Sequence, residues 1–312
     1  MIALTPPTWQ KPTLPRDTEP LAANPRWKEL DPLVVLPPLT VLHLLVHAPQ
    51  AWYLNLLLLP LFAAGLIFRR WLLTPAFWYV TAALLGTTIY LNWESSDNHK
   101  YMFVYWCLAL CSALSLPRGE QTQTLARTSQ LLIALCMILA TAWKAFTPQY
   151  MDDRFFTYEL LADERFAHFT SWTTGVPLET LSLNRDLRDL QMSYPPAGAS
   201  IPAVDLSGSA QVALLATFLT WWTVLIEGLL GGLFLLPSNR WTNTARNTLL
   251  ILFAVTTYSV APVRGFGWML MLLGLAQCSR DEWTYRWGYL GAMLLIQAYM
   301  LPLGSIIDII SR

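Results

Sequence analysis

The sequence is poor in charged residues. Asp, Glu, Lys and Arg make up 13% of its 312 residues, about half the share found in soluble domains. Hydrophobic residues make up 54%, and the mean hydropathy is +0.40. So little charge excludes a water-soluble fold of this length and predicts an integral membrane protein. The formal net charge is zero, so nothing suggests a nucleic acid as partner.

Cysteine is scarce as well, and no cleavable leader is evident. The four cysteines, Cys107, Cys111, Cys136 and Cys278, form no CxxC pair and no zinc-type spacing. They lie in or beside apolar runs, which favours buried free thiols over disulfides or a metal site. Because the N-terminus lacks a charged segment followed by an apolar one, we expect the first apolar run to act as its own insertion signal.

Long apolar runs dominate the rest of the chain. Residues 1–31 hold six prolines among mixed charges and are predicted to be a disordered tail. Nine apolar runs follow, at about 33–48, 51–68, 76–93, 101–116, 129–147, 210–236, 247–263, 265–278 and 287–304. A helix needs about 20 residues to cross a bilayer, and several runs are shorter. The sequence predicts an all-α, polytopic helical bundle of eight or nine transmembrane helices, formed by one membrane domain over residues 32–312.

Basic residues indicate the orientation of this bundle. With nine crossings and a cytoplasmic N-terminus, the tail and the short inside loops carry 12 of the 20 Lys and Arg residues. The long segment 148–209 then lies outside, with nine acidic residues against four arginines. This distribution follows the positive-inside rule. We therefore expect a plasma or inner membrane protein with a cytoplasmic N-terminus and an extracytoplasmic C-terminus.

The outer segment 148–209 contains two amphipathic stretches. Between residues 152 and 168, apolar side chains recur at helical spacing among acids, and residues 178–192 repeat the pattern more weakly. Such spacing predicts helices that lie on the membrane or on the bundle. The Pro-Pro-Ala-Gly stretch at 195–198 is expected to end the second helix.

Polar residues within apolar runs are costly and therefore candidates for function. Glu227 lies inside the sixth run with no cation four residues away, so it is either a helix–helix contact or a functional group. His43 and His47 share one face of the first span at i and i+4. Two such histidines can chelate a metal, but without a third ligand nearby they are better explained as polar residues that line a cavity.

Two further polar groups lie near the outer ends of predicted spans. Asn98 and His99 open the fourth span, where a helix N-cap is the simplest explanation. Lys144 closes the fifth span, where a lysine usually extends to the lipid headgroups. A lysine held against protein would instead be desolvated and, once neutral, could act as a base. Topology thus brings the histidines, Asn98 and Lys144 to the outer leaflet.

Residues 96–101 and 143–150 resemble motifs of the HTTM (horizontally transferred transmembrane) family, which includes the vitamin K-dependent gamma-carboxylases. Asn98-His99, with Lys100 before Tyr101, is similar to the family's Asn-His-Tyr motif. Lys144, followed by residues 147–150, is similar to its span-closing lysine and the turn after it. Glu227 falls where the family often carries an acidic residue, and Phe266-Gly267-Trp268-Met269 resembles its late Gly/aromatic span.

The resemblance implies a reduced quinone, similar to vitamin K, as cofactor. In the carboxylases the lysine is taken to deprotonate the reduced vitamin, and the oxygenated product then allows CO₂ to add to a glutamate. The resemblance implies that Lys144 is the base in this chain and that His99 and Asn98 orient the quinol. His43, His47, Glu227 and Tyr101 are then the candidate cofactor-binding residues. The carboxylases recognise substrate through a β-rich domain after their helices, so a separate protein partner is expected here.

Two functions remain open at this stage. The first is a quinol-dependent carboxylase-like or oxygenase-like enzyme that acts at the outer face. The second is a non-catalytic membrane subunit that scaffolds a larger complex and binds lipid, quinone or pigment. A transporter is disfavoured because no inverted repeat or matched pair of broken helices is evident. The two functions predict different positions for the Lys144 side chain. The enzyme requires it to be shielded from the lipid headgroups and close to His99. The scaffold predicts that it reaches the headgroups.

Overall fold

The computed structural model describes residues 31–47, 52–96, 98–193, 205–260 and 263–298, and within them every regular element is helical. The expected all-α class is therefore confirmed. The helices are α1 (Pro32–Val46), α2 (Trp52–Ile67), α3 (Pro75–Leu91), α4 (Asn98–Leu114), α5 (Arg118–Phe146), α6 (Pro148–Met151), α7 (Arg154–Ala162), α8 (Ala167–Thr174), α9 (Leu178–Ser193), α10 (Ala210–Leu235), α11 (Arg240–Val260), α12 (Arg264–Gln277) and α13 (Trp283–Ala298). The predicted tail over residues 1–31 falls almost entirely outside the described residues.

The nine longer helices outside the outer segment coincide with the nine apolar runs. Two of them, α5 and α10, are long and apolar enough by themselves to cross a bilayer among the described residues. The other seven are shorter or begin with polar residues. The structure therefore supports an association with membranes.

Helix α12 lies at the centre of the bundle. Residues 269–278 are all buried, and α12 contacts α1, α4, α5, α11 and α13. A helix that is apolar on every side can be stable only when protein or lipid surrounds it. Here other helices surround it, so α12 organises the main hydrophobic core.

The outward faces of the two longest helices are apolar. On α10, Leu214, Phe218, Trp221, Leu225 and Leu229 recur at intervals of three or four residues and are each at least 49% exposed. A similar stripe follows α5 through Leu131, Leu135, Leu139 and Trp143. Apolar surface of this extent marks a face that is covered by membrane or by another protein.

The first amphipathic stretch of the outer segment contains two helices instead of the one predicted. The expected helix over residues 152–168 is interrupted at Asp163, whose backbone is extended. The Asp163 side chain accepts a hydrogen bond from the Arg165 amide at 2.8 Å. This cap starts a new turn that leads into α8, because a capping aspartate offers the backbone an alternative to continuing the helix. The second predicted helix is confirmed as α9.

The outer segment packs on the first half of α10 and forms a core of its own. Side chains of α7 and α8, including Phe156, Leu160 and Ala167, meet Val212 and Ala216 of α10. Near this core, Glu159 and Asp163 share the Arg165 guanidinium. Burial, followed by its contact with Asp163, raises the pKa of Glu159 from 4.5 to about 7.

We expect the outer segment to lose stability as the pH rises from about 5 to 7. In that window Glu159 stays protonated in the folded segment but ionises in the unfolded chain, so the folded state binds more protons and is favoured at the lower pH. Hydrogen exchange of residues 154–193 measures the effect, with protection falling as the pH rises. Glu159→Gln should abolish this dependence.

Asp152→Asn is the matched control for the pH experiment. Asp152 is exposed, and its contact with Arg154 lowers its pKa below 3.8, outside the window. The control should therefore keep the wild-type dependence. Equal pH dependence in the Glu159→Gln variant would contradict the assignment to Glu159.

Close packing of α5 and α10 depends on Gly231. A Cβ at this position would lie 2.7 Å from Ile138 Cγ1 and 3.1 Å from the Ile138 amide nitrogen. Nothing lies within 4 Å of a Cβ at the next residue, Gly232. Small residues let membrane helices approach closely, so Gly231 permits a contact that any side chain would prevent.

We expect Gly231→Ala to destabilise the protein by about 1–3 kcal/mol, as overpacking does. Gly232→Ala is the matched control and should be neutral or slightly stabilising, because alanine favours helix. Thermal unfolding in detergent compares the two variants. Equal behaviour of the two would contradict the close α5–α10 contact.

Candidate functional site

Lys144 of α5 and Glu227 of α10 form an ion pair. The Lys144 ammonium donates a short hydrogen bond to Glu227 Oε1. The two side chains are only 18% and 10% exposed. Lys144 therefore does not extend towards a headgroup region, and the cation that Glu227 lacks on its own helix comes from α5.

A tyrosine of the outer segment completes this group. The Tyr150 ring lies under the ammonium, with 5.4 Å between Lys144 Nζ and the ring centroid, a distance suited to a cation–π interaction. Its hydroxyl lies 2.6 Å from Thr223 Oγ1. Thr223 has one hydroxyl proton and donates it to its own helix at Leu219 O or Thr220 O. Tyr150 is therefore the donor to Thr223.

The ion pair lies halfway along the apolar part of α10. Charged residues return in the outer segment at 152–154, where Asp153 Oδ2 accepts a hydrogen bond from Thr217 at 2.5 Å. With a rise of 1.5 Å per residue, Glu227 is about 15 Å along the axis from Thr217 and about 15 Å from Pro237. The sequence placed Lys144 at the outer end of a span, whereas its partner places it near the middle of α10.

The helix that carries Lys144 breaks close to the ion pair. Thr147 precedes Pro148, and its backbone is extended (φ −99°, ψ 107°), because proline disfavours helical geometry in the residue before it. The chain resumes as α6 and carries Tyr150 back against α10. The break therefore places the tyrosine ring beside the lysine.

The ion pair uses only one of the two carboxylate oxygens of Glu227. Glu227 Oε2 is buried and accepts no hydrogen bond from any described residue. A buried acceptor without a donor is costly, so this oxygen is suited to receive a proton or a hydroxyl donor from a ligand. The other oxygen, Oε1, accepts the hydrogen bond from the Lys144 ammonium. In this arrangement Glu227 is the better proton acceptor and Lys144 the better electrostatic partner.

His43 and His47 belong to a separate aromatic group between α1, α4 and α12. The His43 ring is stacked on Trp268 with 5.5 Å between centroids, and it meets Phe103 edge-on at 4.9 Å. His47 lies 4.9 Å from His43. Among the described residues no set of three or more His, Cys, Asp or Glu side chains could hold a metal ion. Both histidines lie in an aromatic group, and the expectation that they line a cavity stays a prediction.

The remaining predicted site residues lie at the start of α4. Asn98 and His99 begin that helix, but their side chains lie outside the described part of the structure. Tyr101 is 38% exposed. The expected proximity of His99 to Lys144 therefore stays a prediction.

Three residues of these groups were missed by the sequence analysis: Tyr150, Thr223 and Trp268 as a partner of histidine. Tyr150 stands only six residues after Lys144, and the intervening proline is the signal that could have indicated a chain reversal beside the lysine. Thr223 stands four residues before Glu227, on the same face of α10. Nothing local pointed from Trp268 to His43, because their contact joins distant parts of the chain.

Comparison with known proteins gives no further guidance. A scan against protein-family models, a search of curated proteins and a search of solved structures each found no match to this chain. The site must therefore be interpreted from its own chemistry.

We expect Lys144→Met to destabilise the protein strongly, because it leaves a buried carboxylate unpaired. Breaking a buried pair typically costs about 3–5 kcal/mol. The double variant Lys144→Met with Glu227→Leu removes both charges and should regain most of that loss. Thermal unfolding of the single and double variants gives the coupling between the two residues. Additive losses would contradict the ion pair.

Proposed function

We propose that the chain is a polytopic membrane protein in which the nine longer helices cross the bilayer, with a cytoplasmic N-terminus and the outer segment on the extracytoplasmic side. Two features support this arrangement. The outward faces of α5 and α10 are apolar, and the basic residues of the short loops follow the positive-inside rule. The helices that are shorter than the hydrocarbon core cross it together with part of their connecting loops.

In this arrangement the Lys144–Glu227 pair lies near the middle of the membrane. Two ionisable groups at that depth are costly, and in membrane proteins such groups commonly mark a pathway for substrates or protons. The break at Thr147–Pro148 also falls at membrane depth. Irregular backbone is tolerated there only when it is buried in protein or lines a cavity, which favours a binding site beside the break.

We further propose that this site binds a reduced quinone and takes a proton from its hydroxyl group. The observation that carries the proposal is the buried, unsatisfied Glu227 Oε2 next to the Lys144 ammonium. A lipid-soluble hydroquinone reaches such a site from the bilayer and supplies an acidic hydroxyl group. The site residues fit this group, because one buried oxygen accepts a hydrogen bond and a fixed cation stands beside it.

Each residue of the site has its own role in the proposed proton transfer. Glu227 Oε2 receives the proton, and its Oε1 keeps the hydrogen bond to Lys144. The Lys144 ammonium stabilises the negative charge that remains at the donor oxygen. Tyr150, fixed by Thr223, holds the ammonium in place. This division differs from the role that the HTTM resemblance gives to Lys144, since the base is here the carboxylate.

We also propose that the chain is related to the HTTM family. It places the chain among carboxylase-like or oxygenase-like enzymes, with Asn98, His99, Tyr101 and the histidines of α1 as candidate quinol contacts. A separate protein partner would then supply substrate recognition. The contact between Lys144 and Glu227 supports the resemblance. These two residues are the basic and the acidic position that match the family.

The competing function is a non-catalytic membrane scaffold, in which the ion pair only holds α5 and α10 together. The observation that favours it is the large apolar surface, including Trp143 at 73% and Phe146 at 86% exposure, which a partner protein could cover as well as lipid. Both functions require the ion pair for stability. They differ in whether the identity of the charges on each helix matters.

We expect the purified protein in lipid nanodiscs to consume reduced phylloquinone under oxygen and to form its epoxide. Glu227→Gln should abolish turnover, because the amide cannot accept the proton. Its carbonyl oxygen can still accept the hydrogen bond from Lys144, so this variant should keep more stability than Lys144→Met while it loses the ion pair. Quinone absorbance and product chromatography measure turnover, and thermal unfolding measures folding. Wild-type protein without turnover would contradict the enzyme and favour the scaffold.

The exchanged variant, Lys144→Glu with Glu227→Lys, is the matched control. It keeps an ion pair between α5 and α10 but moves the carboxylate to the other helix. If the pair serves proton transfer, the exchange should retain stability and lose turnover. Turnover at the wild-type rate in this variant would contradict the assignment of the base to Glu227.

A further inference from the structure

A second buried polar group lies at the opposite end of the bundle, where α11, α12 and α13 meet. Its members are each at most 3% exposed: Arg246, Asn247, Gln277, Arg286 and Tyr289. In the proposed orientation this end faces the cytoplasm. The proposed function does not use this group.

The neutral members of this group are joined by hydrogen bonds, although Gln277 Oε1 accepts none from a described residue. Asn247 Oδ1 accepts hydrogen bonds from Gln277 Nε2 and from the Tyr289 hydroxyl, the latter at 2.8 Å. Asn247 Nδ2 donates to Glu282 Oε1 at 3.3 Å. The other oxygen of Glu282 accepts from the amide and hydroxyl of Ser279. The Glu282 carboxylate beside the group is therefore engaged by Asn247 and Ser279.

The Arg246 guanidinium is left with most of its donors unused. It donates to Ser238 Oγ through Nη2 at 3.2 Å and lies 5.8 Å from the centroid of the Phe234 ring. Its Nε and Nη1 are buried and meet no acceptor among the described residues. Arg286 adds a second buried guanidinium that donates to Cys278 O at 2.9 Å. Two guanidinium groups are therefore buried in this group, and the open donors are those of Arg246.

The position of Arg246 along α11 indicates the source of a ligand. Trp241 on the same helix is 84% exposed, and Trp287 of α13 is 44% exposed. Tryptophan is enriched at the boundary between the hydrocarbon and the headgroups. Arg246 lies about 7.5 Å further along the helix axis than Trp241. Its partner Ser238 stands in the exposed turn between α10 and α11.

We propose that Arg246, supported by Arg286 and Ser238, binds a phosphate group at the cytoplasmic end of the bundle. A guanidinium presents its donors as a planar fork that matches two phosphate oxygens, and Nε with Nη1 is one edge of that fork. Basic pockets between membrane helices on the cytoplasmic side are suited to anionic headgroups. The adjacent tryptophans favour an anionic phospholipid over a soluble phosphate as the source.

The test compares Arg246→Met with Arg240→Met in detergent. Arg240 is exposed on the same helix and is the matched control. Each protein is heated alone, with dioleoyl phosphatidylglycerol, with dioleoyl phosphatidylcholine or with inorganic phosphate, and native mass spectrometry counts the lipid that stays bound. We expect phosphatidylglycerol to stabilise the wild type and the control, with at least a tenfold loss of bound lipid in Arg246→Met.

The unliganded proteins provide a readout that does not depend on the ligand. If Arg246 is an unpaired buried charge, methionine should leave the unfolding temperature unchanged or raise it. A clear fall would reveal an internal anionic partner and overturn the proposal. Stabilisation by inorganic phosphate to the same extent as by phosphatidylglycerol would support the site with a soluble source. Equal stabilisation of Arg246→Met and wild type, or of neither, would overturn it.

Discussion

The ion pair between Lys144 and Glu227 fixes the register of α5 against α10. In a low-dielectric interior an unpaired charge is far costlier than a paired one, so sliding either helix by one residue loses more than any new contact returns. The glycine face agrees with the same register, because Gly228 meets Thr141 and Gly231 meets Ile138 on the side of the pair that leads to Pro237. Electrostatics and close packing thus select one arrangement of the two longest helices.

That register determines the shape of the outer half of the protein. Since Lys144 stands near the end of α5 but level with the middle of the apolar part of α10, the first half of α10 extends beyond α5. The outer segment fills the space beside it, first through Tyr150 and then through α7 and α8. The break at Thr147–Pro148 is therefore part of the site, because an uninterrupted α5 would carry Tyr150 away from the lysine.

Sequence reasoning predicted the helices well and the contacts poorly. Apolar runs locate helices because burial and lipid exposure both require apolar residues over a continuous stretch. The apolar run places Lys144 at its end, but the run alone does not show that Pro148 ends the helix there or that the lysine lies level with the middle of α10. The partnership with Glu227 spans 83 residues, and no local periodicity encodes it. Likewise, the sequence analysis used Arg246 only as one of the basic residues that indicate orientation. Counting basic residues in loops carries no information about whether a side chain is buried.

Lys144 and Arg246 are compensated in different ways. Lys144 has a protein carboxylate, and what remains open there is an acceptor, Glu227 Oε2. Arg246 has one hydroxyl and a ring, and what remains open there is a pair of donors. The two open groups have opposite polarity, so the proposed ligands differ: a hydroxyl donor beside Glu227 and an anion beside Arg246. Because each demand is buried, leaving it unmet destabilises the unliganded protein, and the same cost strengthens binding of the group that meets it.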